Sequence, residues 1–242
     1  MILLCLKSCK LLQKVVTLKR GAVEMKQSFL AMTLVAAAVG VSSAFVNCPT
    51  VSASISSEVV KTGEQDSLYP VVHIKDDATV AAKINADIRS QIEDMKATLD
   101  YRYDDLQVLY KLKYEGQSYI SLVLCVWTYT HGAAHGMPHY RGVTYSKDDG
   151  ERASIRDFVR IGSDDAWRIY NLPVFSGSGK EIPKYQLFRD YASEPLSGNF
   201  YLAGHGQVAL IYQPYQLAAF AYGMTSIILP AGLVEELNEK NP

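Results

Sequence analysis

The chain has 242 residues, 48% of them hydrophobic, with 24 Lys/Arg against 25 Asp/Glu, 16 tyrosines and four cysteines. A near-neutral chain without a basic block argues against a surface built for nucleic acid or anionic membranes. Four cysteines in a chain this long do not make a disulfide-dense miniature scaffold.

Met25-Lys26-Gln27, an apolar run from Phe29 to Val41 and then Ser42-Ser43-Ala44 make a basic head, an apolar stretch and a small-residue cleavage site. These are the parts of a secretory signal. Residues 25–44 therefore read as a signal peptide and residues 1–24 as an upstream extension. The apolar run is short for a spanning helix, so membrane attachment follows only if the segment stays uncleaved. Val51-Ser52-Ala53 offers a second cleavage site, which leaves the mature start open. Cys48 follows Asn47 rather than a small residue, against a lipoprotein. The expected destination is secreted, periplasmic or cell surface. Residues 1–44 hold six of the 24 Lys/Arg and one of the 25 Asp/Glu, which leaves 18 basic and 24 acidic residues, a net charge of −6. Such a chain suits cationic partners, although −6 is also ordinary for solubility. Of the cysteines outside that segment, Cys125 either packs as a small hydrophobe or pairs with Cys48 in an oxidising compartment.

Residues 45–66 read as a linker. Ser67 to Ile74 reads as a strand interrupted by Pro70, which favours an edge or a strand start. Asp76-Asp77 offers an N-cap to a helix whose stripe is Ala81, Ile84, Ile88, Ile92, Met95 and Leu99, at alternating steps of three and four. Residues 106–114 alternate through Leu106, Val108, Tyr110, Leu112 and Tyr114. After a turn at Glu115-Gly116-Gln117, residues 118–130 are apolar on both faces. Tyr119, Val123, Cys125, Trp127 and Tyr129 share one face, and Ile120, Leu122, Leu124 and Val126 share the other. That pattern predicts a central strand buried on both sides, hairpin-paired to the strand before it.

A glycine loop at 131–137 leads to a strand at 139–146, closed by Lys147-Asp148-Asp149-Gly150. Ser154 to Val159 reads as one helical turn, and residues 160–198 as an irregular, mobile surface excursion. Strands at 200–203 and 207–212 flank Gly204-His205-Gly206. A bend at Pro214–Ala219, a strand at 223–229 and a terminal helix from Pro230 to Leu237 follow. The expected fold class is α+β, with antiparallel sheets and helices packed on one side. Two small modules are expected, at 67–130 and 131–238.

Several chemistries are open at this stage. His131, His135 and His139 stand four residues apart, a spacing that would pair imidazoles for zinc on a helix. Gly132, Gly136 and Pro138 oppose a continuous helix, so the alternatives are a metal-holding loop, histidines that tie the loop to neighbouring strands, and a partner site lined by His135 and nearby aromatics. No Gly-x-Ser-x-Gly elbow supports a serine hydrolase, and Ser121, the serine nearest the histidine loop, lies mid-strand. Adjacent acids such as Asp76-Asp77 and Asp164-Asp165 read as caps and solvated surface, so no catalytic residue is assigned. Among the tyrosines, Tyr129, Tyr140, Tyr215 and Tyr222 fall in or beside the motifs. Tyrosine gives amphipathic contact area, so these four join the three histidines as candidate binding residues. No cofactor is expected.

Gly132-Ala133-Ala134-His135 resembles a Gly-Gly-Ala-His loop that follows the central strand of a bacterial extracytoplasmic family. Asp148-Asp149-Gly150 with Ser154-Ile155-Arg156-Asp157-Phe158 resembles that family's turn and short helix. Pro214-Tyr215-Gln216-Leu217-Ala218 with Gly223 resembles its Pro-Tyr bend, and Ile227-Leu229-Pro230 the strand that follows. The family is the two-module arrangement of the RsiV anti-sigma factor ectodomain, which senses lysozyme, and of the N-terminal region of PdaC-type peptidoglycan deacetylases. The likeness covers residues 60–235. Ala219-Phe220 departs from it where a second Pro-Tyr pair is usual, and residues 160–190 match poorly. Neither a deacetylase catalytic domain nor a sigma-binding segment is part of the likeness, so those roles do not transfer. The resemblance implies a cell-envelope binding or accessory domain with a lysozyme-like protein or peptidoglycan as partner. The alternatives are a metal-assisted wall hydrolase using His131, His135 and His139, and a purely structural accessory protein.

Overall fold

The computed structural model describes residues 52–62, 65–99 and 102–241. The signal segment and Cys48 lie outside the described residues, while Cys125 is a free, buried thiol. Among the described residues no helix is long and apolar enough to cross a membrane.

Strands β1 (Ala53–Thr62) and β2 (Gln65–Ile74) pair antiparallel through their whole length. Residues 53–62, expected as linker, are therefore a strand. Their alternation of serines with Ile55, Val59 and Val60 is too polar to announce one, and the ladder with β2 supplies the order that the side chains do not. Helix α1 (Ala78–Ala97) begins at Asp77, whose carboxylate accepts from the Thr79 and Val80 amides at 3.1 and 2.9 Å. It buries Ile84, Ile88, Ile92 and Met95 as the stripe predicts, together with Val80 and Gln91.

Strands β3 (Asp105–Glu115), β4 (Tyr119–Tyr129) and β5 (Met137–Ser146) form an antiparallel sheet with β4 central. Ile120, Leu122, Leu124 and Val126 of β4 pack against the α1 stripe in one core cluster, joined by Tyr69, Val72, Val108, Val143 and Tyr145. The strand pairing carries this sheet across position 130/131, where the sequence places a module boundary, because β5 hydrogen-bonds to β4 from Met137 onward.

Residues 155–157 form a 3-10 turn rather than an α-helical one, capped by Ser154 with Asp157. Short helix α2 (Ala166–Tyr170) and strands β6 (Val174–Phe175) and β7 (Glu181–Ile182) lie within the stretch expected to be a surface excursion. The stretch is irregular, but Ile169, Tyr170, Val174, Ile182 and Leu187 anchor it in the second core cluster. β6 and β7 join β8 (Phe200–Gly204), β9 (Gln207–Tyr212) and β10 (Thr225–Leu229) in a five-stranded antiparallel sheet, ordered β7-β6-β10-β9-β8. Helix α3 (Ala231–Lys240) adds Val234 and Leu237 to its core. The architecture is the expected α+β one of small antiparallel sheets with helices packed on them.

Candidate functional site

The three-stranded sheet has an outer face turned away from α1. Its β5 half is held against the five-stranded sheet. The Asn199 side chain accepts from the Gly142 amide at 2.6 Å and donates to the Tyr140 carbonyl at 3.0 Å. Gln213 repeats the pattern on Tyr140, at 2.8 and 2.7 Å. These two amides continue the β5 ladder as a strand would. Gly142 is required there because a Cβ would meet the Phe200 carbonyl oxygen at 1.8 Å. Ser121 is fully buried and bonded to Thr144 at 2.8 Å and to the Leu202 amide at 3.1 Å. Its hydroxyl joins the two sheets and is not a nucleophile.

The Leu109–Lys113 stretch of β3 leaves part of the same face open and floors a cleft of about 800 Å³, while Lys113 and Tyr114 also reach β8. The floor is Leu109, Lys111, Lys113, Val123, Cys125 and Tyr140; the opposite wall runs through Ser176–Lys180, Pro183, Tyr185 and Ala221–Met224. That volume lies within the range of small-molecule sites, roughly 300–1,000 Å³. Burial shifts three of its titratable groups. Desolvation, only partly opposed by the hydrogen bond with Tyr140, pushes the Cys125 thiol up to about 12. Cys125 is thus protonated at neutral pH and no nucleophile. Desolvation, with Cys125 adding to it, also raises the Tyr140 phenol to about 12. Lys113 is lowered, first by burial and then by the charge of Lys111. Its ammonium sits 4.5 Å over the Tyr201 ring.

An aromatic rim adjoins this cleft. The His135 ring stacks on Phe220 at 3.7 Å between centroids, and its Nε2 lies 3.2 Å from the Tyr215 hydroxyl. Nδ1 faces the Gly136 carbonyl at 3.0 Å. Tyr215 is 50% exposed and holds φ at +70°, a left-handed conformation that costs a non-glycine residue on the order of 1 kcal/mol or more. Trp127 stacks with Tyr129 at 6.1 Å, and Tyr129 meets His131 edge-on at 6.0 Å. Gly136 lets the loop lie on Trp127, since a Cβ there would fall 2.2 Å from the indole. Trp127 is two residues from Cys125 on one strand face, and Phe220 directly precedes Ala221, so the rim runs into the cleft.

The seven candidate binding residues separate accordingly. His135 and Tyr215 form one contact although 80 positions apart. Tyr129 and His131 form the second part of the rim, and Tyr140 and Tyr222 line the cleft. His139 departs from the set. Its β4 partner is Val126, on the α1 side of the sheet, and burial lowers its pKa. The alternative metal set of His131, His135 and His139 is therefore not assembled. His131 is exposed and faces Asp104 at 3.5 Å, His135 is committed to Phe220 and Tyr215, and His139 turns to the opposite face. Among the described residues no group of three or more His, Cys, Asp or Glu is placed to hold a metal ion.

The sequence reading passed over Phe220, Trp127 and the lysines of the cleft. Phe220 stands where the resembling family carries a Pro-Tyr pair. The signal for Lys111 and Lys113 was present, since both fall on the face of β3 opposite the apolar alternation. A second open groove is lined by Arg141 and Arg152 among others. Its arginines are already satisfied: Arg141 by Asp94 at 2.6 Å and Gln91 at 3.0 Å, Arg152 by Gln91 at 2.8 Å and Asp87 at 3.3 Å.

No family model and no curated protein matches the chain. Among solved structures, a member of the DUF3298 family from Bacteroides fragilis NCTC 9343 is similar at 13% identity and a TM-score of 0.50, with 78% of this chain and 94% of that one covered. A DUF3298 family protein from Pseudomonas aeruginosa PAO1 is similar at 16% identity, 76% and 93% coverage and a TM-score of 0.47. The former likeness shows a shared fold.

Proposed function

We propose that the chain is an extracytoplasmic binding or accessory domain of the cell envelope that takes peptidoglycan glycan on the aromatic rim and the cleft beside it. The observation that carries this reading is the contact of His135 with Phe220 and Tyr215. It gathers two segments separated by about eighty residues into one exposed aromatic surface, with Tyr215 held in a strained backbone conformation. Backbone strain of this kind persists where the surroundings enforce it and clusters at ligand-binding positions. Flat aromatic faces beside a cleft suit the apolar faces of sugar rings, and tyrosine adds a hydroxyl at low entropy cost. The signal-like segment and the resemblance to wall-facing domains support the same assignment.

The lysozyme reading draws on Asp104 and Asp105 beside His131 at the edge of this face. Three lysines in the cleft oppose the cationic surface of a lysozyme, so the glycan reading is preferred. Co-sedimentation with purified peptidoglycan tests it. The protein is expected in the pellet, and Tyr215→Ala and Phe220→Ala are expected to leave it in the supernatant while still folded, with melting lowered only by the lost ring contacts. Equal sedimentation of both variants would reject the rim as the binding surface.

A further inference from the structure

The cleft has a charge pattern unlike the rest of the molecule. Outside residues 1–44 the chain carries six more acids than bases, yet among the described residues no Asp or Glu lines this cleft, and Lys111, Lys113 and Lys180 do. None of the three forms an ion pair among the described residues, a trait shared by Lys75 and Lys184, whereas Lys61, Lys83, Lys96, Lys147 and Lys240 each have a carboxylate partner. Lys111 and Lys113 stand on one strand face, close enough for the charge of the first to disfavour the charge of the second. Lys180 faces them from the turn between β6 and β7. Ser176, Ser178 and Tyr222 add hydroxyls, while Leu109, Val123 and Met224 add an apolar floor. Like charges gathered in a concave site without counter-charges focus a positive potential and are relieved by an anion.

We infer that this cleft binds the carboxylate-bearing part of its ligand, Lys111 and Lys113 on the floor and Lys180 on the wall closing on the acid groups of a wall-derived peptide while the sugar lies on the aromatic rim. The identity of the ligand as a wall fragment rests on the glycan reading above; the preference for a carboxylate rests on the lysines alone. Ammonium groups act on such an anion as compact point charges and do not impose bidentate geometry.

Calorimetric titration of three probes into the purified protein separates the two readings. The probes are a muramidase-released disaccharide tetrapeptide with free carboxylates, the same fragment with its carboxylates amidated, and the sugar-free tetrapeptide. The free-acid fragment is expected to bind about tenfold or more tightly than the amidated one, with the margin shrinking at high salt. Lys113→Gln, and independently the exposed Lys180→Gln, are each expected to remove most of that margin while the melting temperature stays unchanged. Equal affinity for free-acid and amidated fragments overturns the carboxylate inference and leaves the glycan reading standing. Sugar-free peptide binding as tightly as the whole free-acid fragment overturns the glycan reading and leaves the carboxylate inference standing. Absence of binding by all three overturns both.

Discussion

The two faces of the central sheet differ in what covers them. On the inner face, Ile120, Leu122, Leu124 and Val126 meet α1 in a continuous apolar core. On the outer face, Val123 joins a small cluster with Tyr201, Ala209, Ile211 and Met224, against which Tyr140 packs, and Tyr119 packs against the second core; Trp127, Tyr129, Lys111 and Lys113 border the rim and the cleft. β4 is apolar on both sides, so its alternation does not distinguish the face that makes the core from the face that offers a site. The difference comes from the neighbours. A 20-residue helix covers one side, while on the other Asn199 and Gln213 hold the second sheet over β5 and β8 also meets the Lys113–Tyr114 end of β3, which leaves the rest of β3 open.

Substitutions on the inner face should therefore damage stability and those on the outer face binding. Leu122→Ala removes a fully buried side chain and is expected to cost about 2–5 kcal/mol in denaturant unfolding, with affinity per folded molecule unchanged. A loss of affinity without a loss of stability would reverse the assignment of the faces. Asp165→Ala removes a fully buried carboxylate that holds Lys240 at 2.6 Å, the Gly162 amide at 2.8 Å and Asn241 at 2.9 Å. About 1–3 kcal/mol should be lost, again with binding intact; a neutral result would show that the α3 end is not fastened there.

Tyr215→Gly sharpens the comparison on the rim. Glycine relieves roughly 1 kcal/mol of left-handed strain, which offsets the lost ring contact with Phe220, worth about 0.5–1.5 kcal/mol. Stability should stay within about 1 kcal/mol while glycan affinity falls about tenfold. A large destabilisation would mark Tyr215 as a packing residue.

The smallest effect concerns His139. Burial lowers its folded pKa below the ordinary value, about 6.5. Below that value the unfolded chain takes up a proton before the folded chain does, so this group's contribution to stability is full above it and declines as pH falls. Melting temperature followed from pH 7.5 to pH 5 should fall less steeply in His139→Gln than in the native chain; parallel slopes would contradict a half-buried imidazole that resists protonation.

Local pattern carried much of the fold. The 3.6-residue stripe of α1, the Asp77 cap, the two-sided apolar run of β4 and the Gly204-His205-Gly206 turn were all legible, because each is dictated by neighbours within a few residues. β1 was not, since its order comes from pairing with β2. The α1-facing position of His139 was missed because loop spacing does not show where the β5 register begins. His135 and Tyr215 were legible singly, but their meeting depends on how β5 and β9 are tied together. The lysines of the cleft stood in plain alternation on β3, and only the placement of the β6–β7 turn opposite them turns two surface charges into one side of a site.

Hydrogen exchange of the protein with and without the free-acid disaccharide tetrapeptide tests the central claim most directly. The account predicts added protection in Trp127–Gly136, Lys111–Lys113 and Gln213–Met224, with none in α1. Protection centred on α1 and the Arg141–Arg152 groove, with the rim unaffected, would contradict it.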